Sequence, residues 1–414
     1  MRIAIVGAGI AGLTCAHLLH PEHEITVFEA DDRPGGHTRT VDVETEAAVH
    51  RVDTGFIVFN DRNYPGFERL LERLDVASQP SDMGFSVSDG RGEFEYSGNS
   101  ANGLFARRSS LVRPSFHRMV RDLVRFNRAA PALIGLNGSG PTLLDFLDEG
   151  GYSREFVERL IVPQASAVWS ADPRELRHFP ASMLAEFFDN HGMFGFRGRP
   201  RWRAVTGGSS RYVERLTALI SERLRLHTPV ARVERFDDRV EVAPASGGVE
   251  SFDEVILAVH SDQALAMLAD PTVREAELLG AIPYQPNDVV LHTDASLLPR
   301  RRRAWASWNF HLHDEPPERT TVTYHMNRLQ SLDTDSQFCV TLNRTDAIDP
   351  DTVIAEREFS HPVFTHAALV AQRRWGEISG VRRTHYCGAY WGYGFHEDGV
   401  QSAQRVCRAF GAEL

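Results

Sequence analysis

Gly7, Gly9 and Gly12, spaced as GxGxxG in GAGIAG, are the first residues whose types and spacing make a chemical demand. The spacing suits a strand that turns tightly at the first glycine, a phosphate that approaches the backbone at the second, and a helix packed closely on the strand at the third. Backbone N–H groups at the start of that helix, at Ile10 and Ala11, then face anionic oxygen. Glu29 closes the next apolar run and Ala30 follows it. A carboxylate there accepts hydrogen bonds from ribose hydroxyls, so glycines and acid together predict a dinucleotide site rather than a chance glycine-rich turn. Arg33-Pro34-Gly35-Gly36-His37-Thr38 offers a second backbone approach to phosphate, although without Glu29 before it the string reads equally as a surface turn.

These residues need elements to hold them. RIAIVGAG, IAGLTCAHLLH and EITVFEA read as strand, helix and strand, the opening of a parallel α/β unit. GFSVS and EFEYS flank a turn at Asp89-Gly90 and predict a hairpin outside that sheet. Between about 114 and 190, LVRFNRAAPALI, TLLDFLDEG and EFVERLIVPQASAVW have helical apolar spacing. GGSSRYVERLTALISERL predicts a helix returning the chain to its first domain. VARVERF, DRVEVAP and FDEVILAV read as a meander with turns at Asp237-Asp238 and Ser246-Gly247-Gly248. DVVLHTD, RAWASWNFHL, TTVTYHMN and QFCVTLN predict a further antiparallel set, and QSAQRVCRAFG a closing helix.

With 414 residues, 42% hydrophobic and 24% charged, the chain can form two or three domains that enclose a large cofactor. The net charge of -11 leaves no general basic excess to neutralise nucleic acid. The run Arg300-Arg301-Arg302-Arg303 reads as a solvated loop or as a patch for acidic lipid headgroups. Cys15, Cys339, Cys387 and Cys407 form no CxxC, and the histidines form no HExxH, so no metal is expected and a reducing cytoplasm fits. No GxSxG elbow supports a hydrolase. The opening segment superficially resembles a signal peptide, but its three glycines read as folded structure, and no stretch approaches the roughly 18 apolar residues of a membrane span. Gly138-Ser139-Gly140 lacks a third glycine, so no separate second nucleotide domain is expected.

The sequence resembles the flavin-containing amine oxidase superfamily, with phytoene desaturases and protoporphyrinogen oxidases as relatives. The likeness runs through GxGxxG, Glu29 and the string after it, where the family has RxGGRxxT and this chain has His37 in place of the second arginine. It continues through Asp53-Thr54-Gly55-Phe56, GGSSRYV from Gly207, Val230, FDEVILAV and YCGAYWGYGFHEDGVQSAQRVCR. GAYWGYGFHEDG, VTYHMNRLQSL and FCVTLN are similar especially to FAD oxidoreductases associated with, or fused N-terminally to, cyclopropane-fatty-acid synthases. The resemblance implies FAD, bound by Gly7, Gly9, Ile10, Ala11, Gly12, Glu29, Ala30, Arg33, Gly35, Gly36, His37, Thr38, Thr54, Gly55, Phe56, Val230, Gly388, Ala389, Glu397, Gly399 and Val400. Ala389 stands where the family has an acidic residue. The implied fold class is α/β, with a Rossmann-like FAD-binding domain (1–75, 203–265 and 375–414) interleaved with an α+β substrate domain of antiparallel sheet and helical lobe (76–202 and 266–374).

The resemblance also brings His396, Tyr324, Trp391 and Tyr393 toward the flavin as catalytic candidates, with Trp202 as a further wall. Each aromatic reads equally as core packing, and His396 and Glu397 equally as helix caps. His191 and His325 read as buried, hydrogen-bonded histidines. The expected function is an FAD-dependent oxidase or dehydrogenase that removes hydride from an apolar fatty-acyl or lipid substrate. A flavin-dependent fatty-acid double-bond isomerase and a flavin-bound accessory protein of a lipid methyltransferase stay open as alternatives. Expected partners are therefore the lipid substrate, a peripheral membrane contact and a lipid-modifying methyltransferase. Amine oxidases of the family place a lysine that reaches the flavin N5 through a water. This chain has no lysine, all 45 of its Lys+Arg residues being arginine, so slow oxidation of primary amines is expected.

Overall fold

The structure is a computed structural model describing residues 1–414 except 47, 137–139, 196, 197 and 316, and without the side chains of 177 and 178. The string at 138–140 thus lies largely outside the described residues.

A five-stranded sheet carries the glycine motif, in the order Leu224–Arg225, Glu24–Phe28, Arg2–Val6, Glu254–Leu257 and Thr384–Tyr386. Every neighbouring pair is parallel. Ile3, Ala4, Ile5, Val255, Ile256 and Leu257 are fully buried, as central parallel strands covered on both faces must be. Helices Ile10–Leu19 and His396–Cys407 cover one face, meeting through Leu13, Cys15, Val400 and Cys407. The other face packs against the three-stranded meander Val230–Arg235, Val240–Pro244 and Glu250–Phe252.

FDEVILAV does not supply one meander strand, as its sequence predicts. It divides at Asp253, whose N–H donates to the Arg2 carbonyl and whose carboxylate accepts from the Arg2 N–H. Glu250–Phe252 stays in the meander, while Glu254–Leu257, whose Val255, Ile256 and Leu257 are apolar and buried, enters the parallel sheet. The returning helix is also shorter than predicted. It ends at Ala218, and Leu224–Arg225 pairs with the open edge of Glu24–Phe28, whose backbone groups need partners.

The second sheet has seven strands, ordered Val353–Pro362, Tyr284–His292, Cys339–Leu342, Val322–His325, Trp308–His311, Phe85–Ser88 and Glu95–Ser97. The hairpin around Asp89-Gly90 forms its edge. Helices Pro114–Ala129, Leu143–Glu149, Val162–Trp169 and Ala181–Asn190 build a lobe whose core is continuous with this sheet. No described helix is long and apolar enough to cross a membrane.

Candidate functional site

The glycines divide the work between packing and access. Gly7 has φ +100, and its N–H donates to the Phe28 carbonyl at 2.8 Å. A Cβ at Gly12 would lie 1.9 Å from the Gly7 oxygen, so the third glycine is needed for the helix to approach the strand. A Cβ at Gly9 would meet nothing within 4 Å, which leaves the start of Ile10–Leu19 open to a ligand. The second glycine pair docks on the first. The Gly35 N–H donates to the Ala8 carbonyl at 2.8 Å, and a Cβ at Gly36 would stand 3.2 Å from the Gly9 Cα. Arg33 turns onto its own loop, donating to the Thr38 and Gly36 carbonyls at 2.8 and 2.9 Å. Glu29 accepts from the N–H groups of Ala8 at 2.7 Å and Asp31 at 2.9 Å, and half-buried it keeps further lone pairs for a ribose. Ala30 is exposed beside it.

The last helix closes the other side. A Cβ at Gly399 would press to 2.8 Å from Ile10 Cγ2, so this glycine lets the helix start lie against Ile10, with Ala11 just beyond. Val400 is fully buried. The Gly388 N–H donates to Ser402 Oγ at 3.0 Å, and Ala389 begins the adjacent turn Ala389–Trp391. His396 Nε2 lies 2.9 Å from both Thr38 Oγ1 and the Tyr212 hydroxyl, which also bond each other. Its ring stacks on Phe56 at 3.4 Å and 10°. Burial, reinforced by His37, pulls the His396 pKa well below its ordinary value. The imidazole is thus neutral and fastens the last helix to the glycine loop. Glu397 accepts from the Gly66 and Phe67 N–H groups at 3.0 and 2.8 Å, capping Pro65–Arg73.

Thr54 donates from its N–H to the Arg39 carbonyl, and Phe56 to that of His37. Gly55 is required between them, because a Cβ would lie 1.8 Å from the His37 oxygen. His37 Nε2 lies 3.1 Å from the Ser360 carbonyl and its ring stacks on Phe359 at 4.8 Å. Burial, then His260, lowers its pKa to about 4. The position that holds arginine in the resembling family is therefore uncharged here. Val230 sits at the start of its meander strand, packed in the same core as Val6 and Phe28.

Where the last helix meets the helical lobe lies a cavity of about 190 Å³ whose wall includes Tyr64, Phe187, His191, Tyr393, Phe395, Glu397 and Asp398. The Tyr393 hydroxyl donates to Glu186 at 2.8 Å. His191, bonded through Nδ1 to the Phe187 carbonyl and stacked on Trp202, is lowered to about 4 by burial. Burial pushes Asp398 up to about 7, while the Phe395 N–H donates to it at 2.9 Å. Trp391 and Tyr324 stand outside this wall. Trp391 packs on Tyr390 at 5.1 Å, and Tyr324 meets Trp308 edge-on in the second sheet. His325 bonds Gln337 at 2.9 Å. A larger depression of about 490 Å³ beside Val76, Thr206 and Arg215 contains none of the site residues. Sequence reasoning missed Tyr64, Phe187, Glu186 and Tyr212. Only Tyr212 had a signal, lying within the quoted GGSSRYV.

The family described as flavin containing amine oxidoreductase matches residues 10–325. An L-amino-acid oxidase of Gloydius blomhoffii is 21% identical over 324 residues, 70% of this chain and 59% of its own length. A chloroplastic protoporphyrinogen oxidase of Oryza sativa is 29% identical over 206 residues, 44% of this chain and 32% of its own. The chain spans about 59% of the length of the L-amino-acid oxidase it matches. Cyclohexylamine oxidase from Brevibacterium oxydans shares the fold with a TM-score of 0.73 at 17% identity, covering 99% of this chain and 98% of that one. A CLA-producing fatty acid isomerase from P. acnes gives 0.69 at 17% identity, with 99% and 98% covered. At such identity the likeness speaks for fold alone.

Proposed function

Because the chain belongs to the flavin containing amine oxidoreductase family, we propose that it is an FAD-dependent oxidoreductase that removes hydride from an apolar fatty-acyl or lipid substrate. FAD, when bound, supplies the two-electron acceptor. The residues fit this group. A side chain at Gly9 would meet nothing, Ile10 and Ala11 begin a helix whose first N–H groups have no intrahelical partner, and Glu29 retains acceptor capacity for ribose hydroxyls. The start of His396–Cys407 adds the positive end of a second helix dipole to the same region.

The observation that carries the apolar reading is the state of the two carboxylates in the cavity wall. Glu397 has both oxygens engaged by the Gly66 and Phe67 N–H groups, and Asp398 caps the start of its own helix at Phe395. With His191 neutral and both carboxylates already held by backbone donors, the rings of Tyr64, Phe187, Tyr393 and Phe395 give this wall a surface that suits an alkyl chain better than an ammonium. The named substrates of the two structural neighbours point in opposite directions, an amine and a fatty acid, and the wall chemistry supports the second. The test is anaerobic mixing of the FAD-loaded protein with fatty acids, acyl lipids and primary amines while following flavin absorbance. Bleaching by an acyl substrate and not by amines is expected. Rapid bleaching by amines with no response to any lipid would overturn the reading, and a shifted double bond formed without consumption of an electron acceptor would replace net oxidation by isomerisation.

A further inference from the structure

Arg107-Arg108-Ser109-Ser110-Leu111-Val112-Arg113 contains two adjacent aliphatic residues bracketed by arginines. The short turn Arg108–Val112 buries Ser110 and turns the aliphatic pair outward, leaving Leu111 49% and Val112 80% exposed. This inverts the ordinary partition of polar and apolar side chains. The run Arg300–Arg303 comes to the same place. Arg113 donates to the Glu93 carbonyl, Arg300 to that of Gly90 and Arg301 to that of Gly92, so both segments hold one hairpin turn. A Cβ at Gly103, in the short helix before Arg107, would stand 3.3 Å from the Arg303 oxygen.

Positive charge is in excess on this face. Arg91 pairs with Asp314 at 2.7 Å and Arg301 with the buried Glu95 at 3.0 Å. Among the described residues, Arg107, Arg108, Arg113, Arg300, Arg302 and Arg303 make no ion pair. Two nearby carboxylates lack an arginine partner. Asp89 is engaged by the N–H groups of residues 91 to 94, and Glu93 stands exposed beside it. Arg118 and Arg121 continue the basic character along the exposed stripe of the next helix.

We propose that this face docks on an anionic lipid bilayer, with Leu111 and Val112 entering the headgroup boundary and the arginines meeting lipid phosphates. A chain of net charge -11 is repelled by such a surface over most of its area, so one basic face also fixes its orientation. The exposed aliphatic pair favours a bilayer over nucleic acid. A bilayer accepts aliphatic side chains between its headgroups, where arginine stems also lie comfortably, and a phosphodiester backbone has no matching apolar slot. The inference does not depend on the substrate, since it uses no residue of the cofactor site or cavity.

The test is flotation of the FAD-loaded protein with vesicles of phosphatidylglycerol and phosphatidylcholine in equal parts, and with phosphatidylcholine alone. Binding to the anionic vesicles only, weakened by salt, is expected. Each arginine near such a surface contributes roughly fivefold to partitioning, so Arg108→Ala, Arg302→Ala and Arg303→Ala together should weaken binding roughly a hundredfold. Val112→Asp should weaken it further, and Val112→Trp should show blue-shifted emission on anionic vesicles. All four positions are exposed, and unchanged circular dichroism and flavin absorbance check the fold. No binding to anionic vesicles, or binding indifferent to the arginine changes, overturns the proposal. So does binding to heparin that matches vesicle binding, with Val112→Asp neutral and no shift from Val112→Trp, because the face would then serve a soluble polyanion.

Discussion

Gly9→Ala and Gly12→Ala add the same methyl group three residues apart, yet the structure predicts opposite failures. Gly9 lies at φ -73 and ψ -177, extended backbone that any residue adopts, and its added Cβ meets nothing. The FAD-free Gly9→Ala protein should therefore be as stable as the parent, or gain up to ~1 kcal/mol from a less flexible unfolded chain. Its methyl, however, stands where phosphate must approach the helix start. Losing one charge-assisted hydrogen bond there costs about 1.5–3 kcal/mol, or roughly tenfold to a hundredfold in FAD affinity. At Gly12, alanine gains about 1 kcal/mol of helix propensity, but its Cβ would sit 1.9 Å from the Gly7 oxygen. Helix and strand must separate, and the strain of such overpacking, about 1–3 kcal/mol or more, falls on the free protein. Thermal melting of the FAD-free variants and calorimetric titration with FAD separate the effects. Wild-type FAD affinity in Gly9→Ala, or equal loss of free-protein stability in both variants, would refute this division of labour.

Glu29→Ala removes the acceptor for both the Ala8 and Asp31 N–H groups. It should lower FAD-free stability by about 1–3 kcal/mol and weaken FAD as well, whereas unchanged melting and titration would show that the carboxylate holds neither loop nor ribose. Burial raises Asp53 from 3.8 to about 7 against donors from Thr40 and Ser209. The folded chain then keeps a proton that the unfolded chain releases between those values, so stability conferred by Asp53 is complete below pH 4 and fades as pH rises through 7. Denaturation of wild type and Asp53→Asn should thus diverge by up to ~4 kcal/mol across that window, and a difference independent of pH would mean that the donors keep the carboxylate ionised.

What the sequence revealed and what it hid follow from the range of the interactions. The demands on Gly12 and Gly35 come from backbone a few residues away, at Gly7 and Thr38, so their spacing could be read directly, whereas Gly7 also faces the distant Ala258 carbonyl. FDEVILAV misled because apolar residues stand on both sides of Asp253-Glu254, and only the bonds to Arg2 place the division at Asp253. Val353–Pro362 escaped notice because the charged run Glu356-Arg357-Glu358 breaks its apolar residues and looks solvated, although nine positions pair with Tyr284–His292. The cavity wall was illegible for another reason. Tyr64, Phe187 and Tyr393 come from three segments far apart in the chain, and no local pattern records that they meet.

The same distinction explains the start of the last helix, where family likeness turned attention toward a cofactor while the side chains reveal a joint. Pro65 opens its helix without an N–H, and Tyr64 before it supplies no capping hydrogen bond, so the Gly66 and Phe67 N–H groups require an acceptor from elsewhere. Glu397 meets both, and Gln401 holds its Oε1 from one turn further along at 2.6 Å. On the neighbouring residue, His396 bonds Thr38 and Tyr212. Two successive side chains therefore bind the end of the chain to two separate segments near its beginning. A carboxylate shared between two helix starts is stabilised by both dipoles, which partly opposes the burial that raises its pKa and directs its oxygens at backbone donors. The closing helix is thereby set against Ile10 and Ala11 by bonds within the chain itself, so the two helix starts are joined without help from FAD.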